Sequence, residues 1–117
     1  MRKILYSPGY GAGWSSWNSG KSAKYMPEYQ PIIEAIENGE KLCIEDKYSS
    51  SLLNEEIYHP SIIQLIRDCK EKFGEDIYVG GAEDLCIKYI EDYKRVRIHE
   101  YDGFESVEVE GEYDGWM

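Results

Sequence analysis

The spacing of apolar residues predicts one strand and two helices in the first two thirds of the chain. Arg2–Tyr6, soon followed by a Pro-Gly pair, is typical of a short strand. Apolar residues at intervals of three and four then predict a helix from Glu28 or Pro31 to Asn38, and a second from Pro60 to Phe73. The apolar faces consist of Tyr29, Ile32, Ile33 and Ile36 in the first helix and of Ile62, Ile63, Ile66, Cys69 and Phe73 in the second.

The pattern is less regular between and after the helices. Lys41–Glu45 fits either a short strand or an apolar linker, and Asp46–Tyr58 predicts an insertion or a long loop. Asp76–Val79 predicts a strand. Leu85–Ile90 fits both a helix face and strand alternation; we favour a strand, because Gly81 supports a helix poorly and the following element is β.

A β-hairpin is predicted close to the C-terminal end. Arg95–Tyr101 and Phe104–Glu110 flank the dipeptide Asp102-Gly103, a frequent two-residue hairpin turn. In the register that this turn sets, Glu100 opposite Glu105 is the unfavourable pair. The favourable pairs are Val96 with Val109, Ile98 with Val107, Tyr101 with Phe104, Arg95 with Glu110 and Arg97 with Glu108.

The order of these elements predicts an α+β fold. Two helices pack on a mainly antiparallel sheet of four to five strands, which ends in the C-terminal β-hairpin. The length of 117 residues predicts a single domain over residues 1–117. The 42% hydrophobic content is typical of a globular chain that builds one core without staples.

Charge is distributed unevenly along the chain, whose net charge is −10. Residues 1–74 carry 9 basic and 10 acidic side chains, whereas residues 75–117 carry 4 and 13. The carboxylates of the second part argue against direct binding of a nucleic-acid backbone there, because like charges repel. They fit a solvated acidic face, a basic partner protein or mimicry of nucleic acid.

The cysteines and histidines indicate neither a disulfide framework nor a metal site. Cys43, Cys69 and Cys86 are odd in number and widely spaced, and His59 and His99 complete no ligand pattern with them. We expect structural histidines, reduced thiols in the cytoplasm, no metal and no cofactor. The sequence offers no apolar run of membrane-spanning length and no signal peptide at its start.

An uncharged loop rich in glycine and aromatic residues follows the first strand. Such a loop suits a flat, polar ligand, because rings stack on bases and successive backbone N–H groups bind phosphate. The predicted ligand-binding residues are Tyr10, Gly11, Gly13, Trp14, Ser15, Ser16, Trp17, Asn18 and Lys21. The alternative, of equal weight, is a self-packed loop with Trp14 and Trp17 buried under the helices.

The loop departs from two nucleotide-binding motifs. Gly20-Lys21-Ser22 ends like a P-loop, but Ser15 stands where the motif requires a glycine. Gly9, Gly11 and Gly13 lack the third spacing of the dinucleotide fingerprint. No nucleophile elbow and no distinct pair of carboxylates occurs, so we predict no catalytic residue and lean against an enzyme.

Six stretches of the chain carry a resemblance to known proteins. They are residues 4–6, 11–18, 31–37, 59–60, 81–85 and 100–103, which include Gly-Ala-Gly-Trp-Ser-Ser-Trp-Asn and Glu-Tyr-Asp-Gly. In content and order they resemble a family of small uncharacterised proteins of tailed phages and prophages. The resemblance brings no catalytic residue. It implies an accessory protein of the host-cell cytoplasm, marks Asp46–Tyr58 as an insertion and supports a strand at Leu85–Ile90.

Two functions follow as hypotheses. The first is a non-enzymatic phage protein that binds a nucleotide-like small molecule through loop 7–20, for example to sequester a signal of host defence. The second is an acidic inhibitor or nucleic-acid mimic that captures a host defence protein. Its predicted surface is the C-terminal hairpin and tail, with Glu108, Glu110, Glu112, Asp114 and Trp116. Neither function involves a membrane, and both allow a homo-oligomer.

Overall fold

The computed structural model describes residues 1–9, 13–43, 58–92 and 94–109. Over these residues the fold is α+β, as the sequence predicts. Its helices and strands are, in chain order, β1 (Arg2–Tyr6), α1 (Gly20–Tyr25), α2 (Gln30–Glu37), α3 (Pro60–Phe73), β2 (Cys86–Ile90), β3 (Val96–Tyr101) and β4 (Phe104–Val109). Short 3₁₀ turns occur at Ser15–Trp17, Met26–Glu28 and Gly80–Asp84.

The two longer helices, α2 and α3, confirm the predicted helices with nearly the predicted limits. Pro31 and Pro60 lie in their first turns, where the missing N–H has no intrahelical acceptor to lose. Gly39 and Gly74 follow the helices with φ of 76° and 67°. Glycine adopts these left-handed values without strain, and so ends both helices.

The strand β2 confirms the strand interpretation of the ambiguous stretch after Gly81. It pairs antiparallel with β1 over its whole length, from Arg2 opposite Ile90 to Tyr6 opposite Cys86. The first strand of the chain is thus joined to a segment about eighty residues later.

The predicted strand at Asp76–Val79 is wrong, because residues 76–79 are assigned to no strand. Both backbone groups of Tyr78 bond to a side chain. The Tyr78 N–H donates to Oδ1 of Asn18 at 2.8 Å, and Nδ2 of Asn18 donates to the Tyr78 carbonyl at 2.9 Å. A side-chain amide therefore supplies the hydrogen bonds that a strand neighbour would otherwise make.

The C-terminal hairpin of β3 and β4 has the predicted register. Val96 lies opposite Val109 and Ile98 opposite Val107, and Glu100 faces Glu105. Asp102 and Gly103 turn with φ of 48° and 86°, the two positive values of a type I′ turn. The predicted pair of Arg95 with Glu110 is not tested, because Glu110 lies outside the described residues.

The single sheet of four to five strands is a wrong prediction for the described residues, which form two separate two-stranded sheets. The β1–β2 sheet lies between the helices and the hairpin. Leu5 faces the helices and joins the larger core, whereas its neighbour Ile4 faces the hairpin and packs with Val107 and Val109. Because successive residues of a strand point to opposite faces, β1 contributes to two cores.

The larger core contains most of the predicted helix faces. Ile62 and Cys69 of α3 are buried, together with Leu65, which the predicted face omitted. Cys43 forms an isolated bridge with Tyr58, while the rest of the predicted insertion lies outside the described residues. None of the described helices combines the length and the apolar character required to cross a lipid bilayer.

Candidate functional site

The carboxylate of Glu105 organises the aromatic loop from inside the protein. Glu105 is fully buried at the start of β4. Its Oε1 accepts the Ser7 N–H at 2.9 Å, and its Oε2 accepts the N–H groups of Trp14 at 2.8 Å and Ser16 at 3.0 Å. The Ser16 hydroxyl donates to Oε2 as well. A buried carboxylate needs such donors, because burial removes its water.

Two N–H groups of the predicted binding loop, those of Trp14 and Ser16, therefore already have an acceptor within the protein. The N–H groups of Trp14 and Ser16 point toward one oxygen, in the manner of a backbone anion nest. The sequence suggested a phosphate or another polar ligand group as their acceptor. In the folded chain the acceptor is Glu105, which lies about ninety residues away along the chain.

The two loop tryptophans have opposite environments. Trp14 has no exposed surface and belongs to the larger core, as the self-packed alternative predicts, and its Nε1 has no hydrogen-bond partner among the described residues. Trp17 remains 40% exposed. Its Nε1 donates to Oε2 of Glu100 at 2.9 Å, and its ring centroid lies 5.2 Å from that of Tyr78. Only Trp17 of this pair presents a ring to solvent.

The side chain of Asn18 links the loop to the segment after α3 by hydrogen bonds. Its Nδ2 donates to the carbonyls of Trp14 and Tyr78, each at 2.9 Å, and its Oδ1 accepts the Tyr78 N–H. Ser15, also a predicted ligand-binding residue, is buried in the same turn. Among the other predicted residues, Gly13 lies against the Trp17 ring, whereas Tyr10 and Gly11 lie outside the described residues.

The stretch that resembles the end of a P-loop is also occupied by a carboxylate of the chain. Oε1 of Glu75 accepts the Ser22 N–H at 2.9 Å and the Ser22 hydroxyl at 2.6 Å, at the first turn of α1. These bonds, followed by a backbone bond from Lys21 and its charge, lower the pKa of Glu75. Gly20, with φ of 69°, leaves room for this carboxylate. Lys21 is exposed beside it.

A cleft of about 440 Å³ lies next to the loop, between α1, β1 and β3. Ser15, Ser16 and Asn18 form its loop side. Its apolar wall includes Ile4 of β1 and Ile98 of β3. Its size lies in the range of small-molecule sites, and the described residues that line it include no aromatic side chain.

Three of the four described charged residues that line this cleft are basic. They are Arg2, Lys24 and Arg97, with Glu28 as the acidic member. Nε of Arg2 donates to Glu28 at 2.7 Å and its guanidinium also donates to the Lys94 carbonyl at 2.9 Å, while Arg97 pairs with Glu108. Arg97 precedes Ile98 in β3, so its side chain, which is 74% exposed, points to the opposite face of the strand. Arg2 keeps N–H donors for a further acceptor, because a guanidinium has five. A positive cleft on a chain of net charge −10 is the site that sequence reasoning missed.

The predicted partner surface is described at Glu108 alone. Its carboxylate contacts Arg97, and its Oε2 lies 2.6 Å from Nε2 of His99. The hydrogen bond from Arg97 and then that from His99 hold its pKa below the ordinary value. The other predicted members, Glu110, Glu112, Asp114 and Trp116, lie outside the described residues.

The remaining candidate groups have structural surroundings. Nδ1 of His59 accepts the Ser61 N–H at 3.0 Å and caps α3, while its Nε2 lies 3.0 Å from Glu40. Cys69 is buried, and burial raises the pKa of its thiol. Over the described ranges, no three His, Cys, Asp or Glu side chains are grouped so that they could hold a metal ion.

The bonds of Glu105 and Glu100 to the loop, and those of Glu75 to Ser22 in α1, were not predicted. One signal was present for Glu105, since the hairpin register left Glu100 and Glu105 as an unfavourable pair. In the fold both face donors of the loop, Glu100 at Trp17 and Glu105 at Trp14 and Ser16. The like-charge pair, in a register whose other pairs were favourable, was thus a sign that these carboxylates bond to another segment of the chain.

Comparison with protein-family models, with curated proteins and with solved structures finds no significant match to this chain. The resemblance to small phage proteins therefore stays a prediction.

Proposed function

We propose that this protein is a non-enzymatic binder of a small anionic molecule of nucleotide size, held in the cleft between α1, β1 and β3. The observation that carries the proposal is the lining of that cleft. Arg2 and Lys24 line it with Glu28 as the acidic side chain beside them, and Arg97 lies at its β3 edge, on a chain whose net charge is −10. A local excess of cations inside an acidic surface favours an anionic ligand at that place.

The shape of the cleft supports a ligand that has an apolar part. Val96 and Ile98 are partly buried along the cleft, so a ring or sugar would contact these aliphatic side chains while its phosphate or carboxylate met the cations. This arrangement differs from the predicted loop site, in which aromatic rings would stack on a base. Ser15, Ser16 and Asn18 belong to both sites, with Ser16 and Asn18 already hydrogen-bonded within the protein.

The proposed biological role is sequestration. If the resemblance to phage proteins holds, the ligand would be a nucleotide signal of host defence, and binding without turnover would lower its free concentration.

The test is a titration of the full chain with adenosine monophosphate, inorganic phosphate and adenosine. Binding is measured by calorimetry and by amide NMR. We expect the monophosphate to bind, adenosine to fail and binding to weaken as salt is raised. Lys24→Gln should weaken binding by about tenfold, since a hydrogen bond between charged groups in a cleft contributes about 1.5 kcal/mol.

Lys70→Gln is the matched control, because Lys70 is an exposed lysine on α3 paired with Asp76 at 3.4 Å, outside the cleft lining. It removes the same charge and should leave affinity unchanged. If Lys24→Gln and Lys70→Gln weakened ligand binding equally, affinity would depend on the net charge of the chain and not on the cleft. No binding of any probe, or amide shifts that map away from the cleft, would contradict the proposal.

A further inference from the structure

Two exposed aromatic rings lie side by side where the loop meets the segment after α3. Trp17 is 40% and Tyr78 is 41% exposed, and their centroids lie 5.2 Å apart with the rings tilted by 38°. Large aromatic side chains that remain exposed in contact with each other are uncommon on a surface without a partner, and Trp and Tyr are enriched at binding hot spots.

Both rings are held in place by the backbone beneath them. A Cβ built on Gly13 would lie 2.6 Å from Cδ1 of Trp17, so this ring packs directly on a glycine. The Tyr78 ring covers Gly80 in the same way. Asn18, which follows Trp17 in the chain, bonds to the Tyr78 backbone and to the Trp14 carbonyl, and so links the turn that carries Trp17 to Tyr78. The pair is therefore preorganised, which reduces the entropy lost on binding.

The charge next to this pair is negative. Oε2 of Glu100 accepts Nε1 of Trp17 at 2.9 Å and the Gly103 N–H at 2.7 Å, so the carboxylate is fixed at the edge of the indole. The indole donor is satisfied, while 40% of the Trp17 surface remains exposed. Asp76, two residues before Tyr78, has a side chain that is 91% exposed and lies 3.4 Å from Nζ of Lys70. Residues 75–117 carry 13 acidic and 4 basic side chains.

We infer that Trp17, Tyr78 and Glu100 form a docking surface for a basic segment of a partner protein, which places an arginine or lysine against the rings. Charge complementarity selects this occupant: the ring faces attract a cation, and the carboxylate at their edge pairs with it. This surface is separate from the positive cleft and does not depend on the proposed ligand.

The experiment uses the full chain and a (Gly-Arg)₃ peptide amide, with a (Gly-Glu)₃ amide as the opposite charge. We expect the basic peptide to shift the Trp17 indole N–H signal in NMR and the acidic peptide to leave it in place. Trp17→Ser and Tyr78→Ser should each weaken the basic peptide by about fivefold. Glu100→Gln, which keeps an acceptor for the indole, should weaken it by about threefold.

Tyr101→Ser is the matched control, because Tyr101 is 72% exposed and its strand position points to the opposite face of the hairpin from Glu100. It should bind like the unchanged chain. Equal losses in all three aromatic variants, or none in any, would overturn the inference in favour of general attraction to an acidic surface.

Sedimentation velocity provides a second readout. A dimer of the unchanged chain that dissociates on Trp17→Ser would overturn the inference by showing that a second copy covers the rings. Thermal unfolding of each variant separates lost binding from a lost fold. If Trp17→Ser fails to fold, the peptide affinities of Tyr78→Ser and Glu100→Gln are compared with that of Tyr101→Ser in its place.

Discussion

Glu105 shows how one buried side chain can define the conformation of a distant loop. The N–H groups of Ser7, Trp14 and Ser16 all donate to its carboxylate, and its own N–H donates to the Ser7 carbonyl at 2.7 Å. These bonds replace the water that each group would have in the unfolded chain. The loop therefore depends on the hairpin, although the two are far apart in sequence.

Replacing Glu105 should destabilise the protein. Glu105→Ala leaves several buried donors without an acceptor and should lower the free energy of unfolding by about 3 kcal/mol. Glu105→Gln retains an acceptor for Trp14 and Ser16 but turns an amide N–H₂ toward the Ser7 N–H, so a loss of about 2 kcal/mol is expected. Urea unfolding followed by tryptophan fluorescence measures both.

Glu100→Gln is the control for these variants. Glu100 is exposed, and one of its oxygens accepts both the indole and the Gly103 N–H, a role that an amide oxygen can fill. Its effect should stay within about 0.5 kcal/mol. If Glu105→Gln were as stable as the unchanged chain, the buried carboxylate would not be what orders the loop.

At the scale of elements, carboxylates and glycines set where helices begin and end. Gly39 and Gly74 end α2 and α3 with positive φ and have open space beside them. Gly20 also has positive φ, but it begins α1, and a Cβ there would meet the Glu75 carboxylate. Gly39 and Gly74 are therefore required for their backbone conformation alone, whereas Gly20 is required both for its conformation and for the space that Glu75 occupies beside it.

Three glycine-to-alanine variants separate these requirements. Gly39→Ala and Gly74→Ala impose only left-handed strain and should each cost about 1 kcal/mol. Gly20→Ala imposes the same strain and also displaces Glu75 from Ser22, so its cost should exceed theirs by about 1 kcal/mol. Thermal and urea unfolding give the three values. Equal costs would mean that the Glu75 cap adds no stability.

At the scale of the whole molecule, several salt bridges and hydrogen bonds depend on charged glutamates. Glu37 lies 2.8 Å from Nζ of Lys3, and this bond lowers its pKa. The pKa is lowered as well in Glu75 by Ser22, in Glu100 by Trp17 and in Glu108 by Arg97. All four carboxylates stabilise the fold in their charged form, and none is deeply buried.

The fold should therefore lose stability in acid. A carboxyl group whose pKa is lower in the folded state contributes stability above its unfolded pKa, here the ordinary 4.5, and loses it as the pH falls through the folded value. We expect the urea midpoint to be constant from about pH 7 to about pH 5.5 and to fall below that. A midpoint that rose on acidification would indicate that repulsion within the acidic surface dominates.

The sequence alone determined the local structure of most described elements. Arg2–Tyr6, the helices limited by Pro31 and Pro60, and the Asp102-Gly103 hairpin follow from side-chain spacing and turn chemistry, which act within a few residues. The tertiary structure decided the rest, because those contacts join segments far apart in the chain. It divided the strands into two sheets, formed the hydrogen bonds between the Asn18 side chain and the Tyr78 backbone, and placed Glu105 under the loop.

The same division holds for the candidate site. Composition indicated that an uncharged aromatic loop stands apart from an acidic chain, and that contrast is local information. Whether Trp14 or Trp17 would be exposed depended on which side of the turn met the core, and the positive cleft depended on bringing Arg2, Lys24 and Arg97 together from three separate segments. Proximity between such segments arises only when the cores pack, so no local pattern in the sequence encodes it.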